Sequence, residues 1–185
     1  MPTLGTRSRS LWQDVRRHLS AREDDGTRAL SRRLSAARRR GYLTKGELIA
    51  ACRWKSPRSA PHVRANNHHR VRAATAAALS TRDEAARLEA LVQLRGVSVP
   101  TASAVLTLID PRRYGVIDIR VWQLLHRAGR VTGRRHGVGL TTRDWLQFLA
   151  VIRALARKLR VGVRTVELTL FEMHRARQRG RLYRT

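Results

Sequence analysis

Residues 101–109, Thr-Ala-Ser-Ala-Val-Leu-Thr-Leu-Ile, hold no charge in a chain where 28% of residues are charged. A helix apolar on every side has to be buried, and this one is far too short to span a bilayer. It therefore defines a core that neighbouring helices must cover. Upstream, Leu88, Leu91 and Val92 lay an apolar stripe along a preceding helix, and Gly96 is placed to end it with positive φ. Val97 plugs the turn, and Ser98 and Val99 lead into the uncharged helix. Pro100 falls in its first turn, where a missing N–H costs little. Downstream, a loop delivers Asp118 to the mouth of a further helix.

The rest of the chain carries helical periods and no strand alternation of useful length. Leu11, Val15 and Leu19 recur every four residues, which predicts a helix over 11–21 after a frayed basic stretch, 1–10. An acidic cluster at 23–26 interrupts the pattern, and Leu30, Leu34 and Ala37 resume it over 27–40, up to three arginines and Gly41. Those arginines either contact a polyanion or form a solvated helix end favoured by the dipole. Thr44 and Glu47 have capping-box spacing before Leu48, Ile49 and Cys52, and Pro57 ends that helix just after Trp54 and Lys55. An alanine-rich helix opens at 66–69 (Asn-Asn-His-His). Thr81, with Glu84 three residues on, begins the helix that enters the turn. Beyond Asp118, Val121, Trp122 and Leu125 face inward; residues 129–140 form a glycine-rich basic loop. A long helix then follows Thr141 with Trp145, Phe148, Leu149, Ile152, Ala156 and Leu159 on one stripe. Gly162 breaks it, and Val166, Leu170 and Met173 mark the last helix before a basic tail from 176. The expectation is an all-α fold, one domain over 11–175, of about eight to ten helices.

Formal net charge is +26, with 39 basic against 13 acidic residues. Only Lys45, Lys55 and Lys158 are lysines; the remaining basic residues are arginine, which suits bidentate phosphate contact. Residues 49–81 contain no acid, and between Arg127 and Arg164 Asp144 stands alone. Such a balance points to a polyanion, nucleic acid before an anionic membrane. Composition bias explains arginine over lysine but not the scarcity of acids. Cys52 is the sole cysteine, so no disulfide forms within one chain, and a reducing compartment is expected. The sequence has no apolar secretory or transmembrane segment, so a cytoplasmic, nucleoid-associated monomer is expected. The histidines, His126, His136 and His174 among them, lack ligand spacing, so no metal site is expected.

The stretch from 84 to 126 resembles the helix-hairpin-helix DNA glycosylase superfamily, in the type that pairs a hairpin with a catalytic aspartate. Leu94, Gly96, Val97, Thr101, Ala102, Val105 and Leu106 match the hairpin pattern, with Ser98 where the family has a second glycine. Residues 116–122, Val-Ile-Asp-Ile-Arg-Val-Trp, resemble the segment carrying the family's aspartate, at a fitting separation. The resemblance implies a two-lobed helical bundle with its hairpin at about 84–110. It also implies double-stranded DNA as partner, Asp118 as catalytic carboxylate and a cation bridging hairpin and phosphate. Some members hold an iron–sulfur cluster on four cysteines, which this chain lacks. Pro100 stands where strand-cutting members place a Schiff-base lysine, so the resemblance implies a divergent, monofunctional glycosylase or a scaffold without activity.

In the chemistry so implied, main-chain N–H groups around Gly96, Val97, Ser98, Val99 and Thr101 grip a phosphate, helped by Arg95, Arg120, Lys55 and Arg58. Small residues there let the phosphate approach the main chain. A carboxylate beside C1′ stabilises the positive charge that builds on the sugar as an N-glycosidic bond breaks. Trp54, Tyr114 and Trp122 are candidates to stack on an extruded base. Each has a plainer alternative: an ordinary αα-turn at Gly96, a helix cap at Asp118, core packing for the aromatics. Three functions stay open: base release from DNA, shape-selective DNA binding without chemistry, and RNA binding.

Overall fold

The computed structural model describes residues 4–19 and 22–178, with residues 4–10 given by backbone alone. The described residues fold into helices and contain no strand. In chain order these are α1 (Leu4–Arg17), α2 (Asp25–Ser35), α3 (Ala37–Arg40), α4 (Lys45–Lys55), a 3-10 turn (Pro57–Ser59) and α5 (Ala60–Arg64). There follow α6 (His68–Ser80), α7 (Glu84–Val92), α8 (Val99–Ile109), α9 (Ile119–Arg127), α10 (Thr142–Leu159) and α11 (Val163–Arg177). None is long and apolar enough to cross a membrane among the described residues. The chain divides into a unit central in sequence, Glu23–Pro111, and a terminal one that joins the stretch up to Arg22 with that from Arg112 onward.

In the central unit α8 is the buried axis. Every residue from Val99 to Ile109 except the half-buried Pro100 is buried. Helices α2, α4 and α7 pack around it, and Ser31 donates its hydroxyl to Leu108 O at 2.8 Å. The uncharged run thus occupies the place its composition required. The capping box at α4 forms as expected, Thr44 and Glu47 each accepting from the other's main chain. Three local expectations need correcting. The acidic cluster starts a helix: Asp24 caps α2 by accepting from Thr27 N at 2.8 Å. The helix expected over 27–40 changes hydrogen-bond register at Ala36, whose carbonyl takes both Arg39 and Arg40 N–H, so α2 and α3 are separate. Helix α7 is capped by Asp83, whose carboxylate accepts from Ala86 N at 3.1 Å, while Thr81 serves as a main-chain acceptor for Arg87. Asp outcompetes the capping box here because Arg87, buried and bonded also to Ala78 O at 2.5 Å, pulls the 78–81 carbonyls into the corner between α6 and α7.

Asn66 ties this unit together. It is 2% exposed; its Nδ2 donates to Val63 O at 2.9 Å and Arg95 O at 3.0 Å, and its Oδ1 accepts from Arg95 N at 2.9 Å. One side chain therefore satisfies both main-chain groups of a turn residue far away in sequence.

In the terminal unit α11 packs against α1, α9 and α10, with Val166, Leu170 and Met173 inward as their spacing predicts. Helix α1 begins at Leu4, within the stretch expected to fray, because Leu11 and Val15 are buried and anchor the turns before them. Residues 1–3 of that expected tail, and 179–185 of the C-terminal one, lie outside the described residues. Arg160, not Gly162, ends α10: its φ of 56° is left-handed, and Gly162 instead caps α11.

Replacing Asn66 with alanine strands three main-chain bonds at a buried site, and a loss of about 3 kcal/mol is expected. Urea unfolding checks it; a change under about 0.5 kcal/mol would remove Asn66 from this role.

Candidate functional site

The turn between α7 and α8 is the first candidate. Gly96 has φ +79°, and a Cβ there would lie 2.8 Å from His62 Cβ, 2.9 Å from Val63 N and 3.1 Å from Ser59 O. The glycine is thus needed because the turn is seated on the main chain of 59–63. The direction in which its missing side chain would have pointed is filled by protein rather than open to a phosphate. Arg95 N–H is held by Asn66, Val97 N–H donates to Leu94 O at 3.1 Å, and Thr101 N–H reaches Ser98 Oγ at 3.4 Å. The N–H groups of Gly96, Ser98 and Val99 lie outside this set.

The side chains of Val97, Val99 and Thr101 are buried, so a ligand can meet these residues only through their main chain. Arg95 and Ser98 are exposed. Arg58, also exposed, lies on the 3-10 turn just before the 59–63 segment, so the fold brings it beside Gly96. Lys55 ends α4, half-buried and engaged. His62, whose Cβ meets the turn, carried no signal in the sequence because only the approach of α5 makes it a neighbour. Three carbonyls of the turn already serve donors: Gln93 O accepts from the Arg70 guanidinium at 3.0 Å, Leu94 O from Val97 N–H, and Arg95 O from Asn66.

Asp118 is the second candidate, in the terminal unit. It caps α9, accepting from Arg120 N at 2.9 Å, and is half-buried rather than sealed. The segment leading to it is fixed by Glu167, a buried carboxylate that accepts from Val116 N at 3.2 Å and from Arg164. Arg120 lies over the Phe171 ring at 5.6 Å and bonds Gln178 Oε1. His174, on α11, is 4% exposed, and among the described residues neither ring nitrogen has a hydrogen-bond partner. Burial, then the positive charges of Arg127 and Arg120, hold its pKa below the ordinary 6.5, while Asp118 pulls the other way. A buried unbonded imidazole is rare enough to require a reason. His174 lacks ligand spacing in the sequence, but it sits four residues after Leu170 on the buried stripe, and that period is the signal for its burial.

The aromatic candidates divide. Trp122 is fully buried with Nε1 donating to Arg134 O at 2.6 Å. Tyr114 is 4% exposed, stacked on Trp145 at 6.4 Å, with Arg113 and Arg153 against its ring. Both are core residues, and neither offers a face to a base. Trp54 is half-buried and donates to Thr27 Oγ1 at 2.8 Å, leaving part of its ring accessible. Of the three arginines at 38–40, Arg38 pairs with buried Asp110 at 3.3 Å and Arg40 with Glu47, so they support the fold first. Pro100 is half-buried in the first turn of α8. Burial pushes the Cys52 thiol up to about 12, so it stays neutral and unreactive. Among the described residues no three His, Cys, Asp or Glu side chains gather to hold a metal ion.

No protein-family model matches this chain, and neither a curated protein nor a solved structure is significantly similar to it.

The His174 imidazole gives a signed pH dependence. The unfolded ring takes up a proton near 6.5, the folded ring only at lower pH, so its contribution to stability is full above 6.5 and is lost as pH falls below that value. His174→Leu should flatten the stability profile between about pH 6.5 and pH 5. Urea midpoints across that range measure it, and an unchanged slope would exclude His174 as its source.

Proposed function

We propose that this chain is a base-excision DNA repair protein, a monofunctional DNA glycosylase that cleaves the N-glycosidic bond of a damaged or mispaired base in duplex DNA. The observation that carries this reading is the half-buried Asp118 carboxylate, held at the mouth of α9 by Arg120 N–H, in the same unit as a buried imidazole that its charge acts on. As the bond from C1′ to the base breaks, positive charge develops on the sugar, and Asp118 stabilises it or orients the attacking water. A neutral His174 adds no charge against that cation. The main chain at Gly96, Ser98 and Val99, with Arg58 and Arg95, grips the duplex backbone. The net charge of +26 supplies attraction to it.

A second reading, a DNA-binding protein without base release, is favoured by a separate observation. Of the three aromatic candidates, Tyr114 and Trp122 are committed to the core, leaving Trp54 to receive an extruded base.

Single-turnover base release from a panel of lesion-bearing duplexes separates the two. Asp118→Asn should lower release by about 10²–10³-fold while duplex binding is retained. No release by the wild type across the panel would leave the second reading. Borohydride should trap no covalent DNA adduct, since Pro100 offers no amine; an adduct abolished by Lys55→Ala would reverse that expectation.

A further inference from the structure

We propose that residues 127–146 of the terminal unit form a second docking surface for the backbone of duplex DNA, separate in sequence from the turn at Gly96. The inference rests on reading the chain as a DNA-binding protein, and it adds a surface which that reading does not contain. Arg127, Arg130, Arg134, Arg135 and Arg143 are all exposed along this stretch. Its one acid, Asp144, is buried, and its carboxylate is used by Thr141, accepting from N at 2.9 Å and Oγ1 at 2.8 Å.

A run of arginines is usually a solvated face or a loose tail, but this one has a fixed frame. Trp122 Nε1 and Gln123 Nε2 hold Arg134 O and His136 O at 2.6 and 3.1 Å, and Gln147 Oε1 accepts from Thr132 N at 3.0 Å. Gly137, with φ +69°, lies so close to Trp122 that a Cβ would come within 3.0 Å of Cδ1. Val131 and Leu140 bury the two arms of the loop. Ordering is therefore largely complete before any ligand arrives, which preserves affinity.

A second feature falls on the same stretch. Among the described residues the exposed large hydrophobic side chains are Val138, 54% exposed, and Leu146, 36%. Single exposed apolar residues mean little by themselves. Set among arginines on a pinned loop, they fit a polyanion that also has apolar edges. A duplex provides both, phosphates for the guanidiniums and sugar faces for Val138 and Leu146.

The test measures binding of the full chain to a fluorescein-labelled 20-base-pair duplex by anisotropy, over about 50–200 mM salt. Three variants are compared: Arg135→Gln with Arg143→Gln, Arg32→Gln with Arg33→Gln on α2 as a charge-matched control, and Val138→Ser. The loop pair should bind about tenfold more weakly and flatten the salt slope by nearly two, as loss of two phosphate contacts requires. The control should stay within about twofold of wild type with its slope intact, and Val138→Ser should weaken binding a few-fold at unchanged slope. A loop pair indistinguishable from the control overturns this surface and leaves the DNA-binding reading standing. A wild type that binds no duplex overturns both.

Discussion

The buried carboxamide of Asn66 is the contact on which the central unit depends. A turn that enters a fully buried helix must bring its own polar main chain close to the core, where an unsatisfied N–H or C=O costs about 1–3 kcal/mol. Asn66 closes both groups of Arg95 and the end of α5 at once. With the turn drawn that close, position 96 has no room for a side chain, and the 59–63 segment becomes its floor. The uncharged α8 can then run straight into the core, with Ser98 capping its first turn.

The terminal unit solves the same problem with a carboxylate. Glu167 is buried, held by Arg164, and takes the N–H of Val116, which sets the course of the chain into Asp118 and α9. Trp122 then does two jobs, filling the core with its ring and holding the basic loop with its N–H. Among the described residues His174 lies buried without a hydrogen-bond partner in the same unit, and Asp118 is among the charges that act on it.

A chain with 39 basic and 13 acidic residues cannot pair its cations with acids alone. Several are laid over aromatic rings, Arg40 in addition to its pairing with Glu47. Tyr42 carries Arg40 at 5.0 Å and Arg72 at 4.4 Å, Tyr114 carries Arg113 and Arg153, and Trp12 carries Lys158 at 4.4 Å and Arg16 at 5.5 Å. Such contacts contribute about 0.5–1 kcal/mol each at exposed sites and need no acid. They leave the surface strongly positive, and that self-repulsion works against the stability of the compact state.

Much of the helical layout was legible without coordinates. The uncharged run predicted a buried helix, Thr44 with Glu47 a cap, Pro57 an end, and the periods of α10 and α11 their inner faces, because these follow from neighbours within one or two turns. The site was legible only in part. Sequence could nominate Gly96 and Asp118, but it could not show that His62 and Val63 lie where a side chain at position 96 would go. It could not separate Trp122 and Tyr114, sunk in the core, from Trp54 at the surface, since a tryptophan on a helix has the same local pattern in either place. Nor could it find Asn66 on Arg95 or Asp118 near His174, pairs separated by long stretches of chain. Composition and short-range spacing thus settled helicity, charge and caps, which are local free energies. Which polar groups lie buried, and against what, was decided only when distant segments packed and excluded water between them.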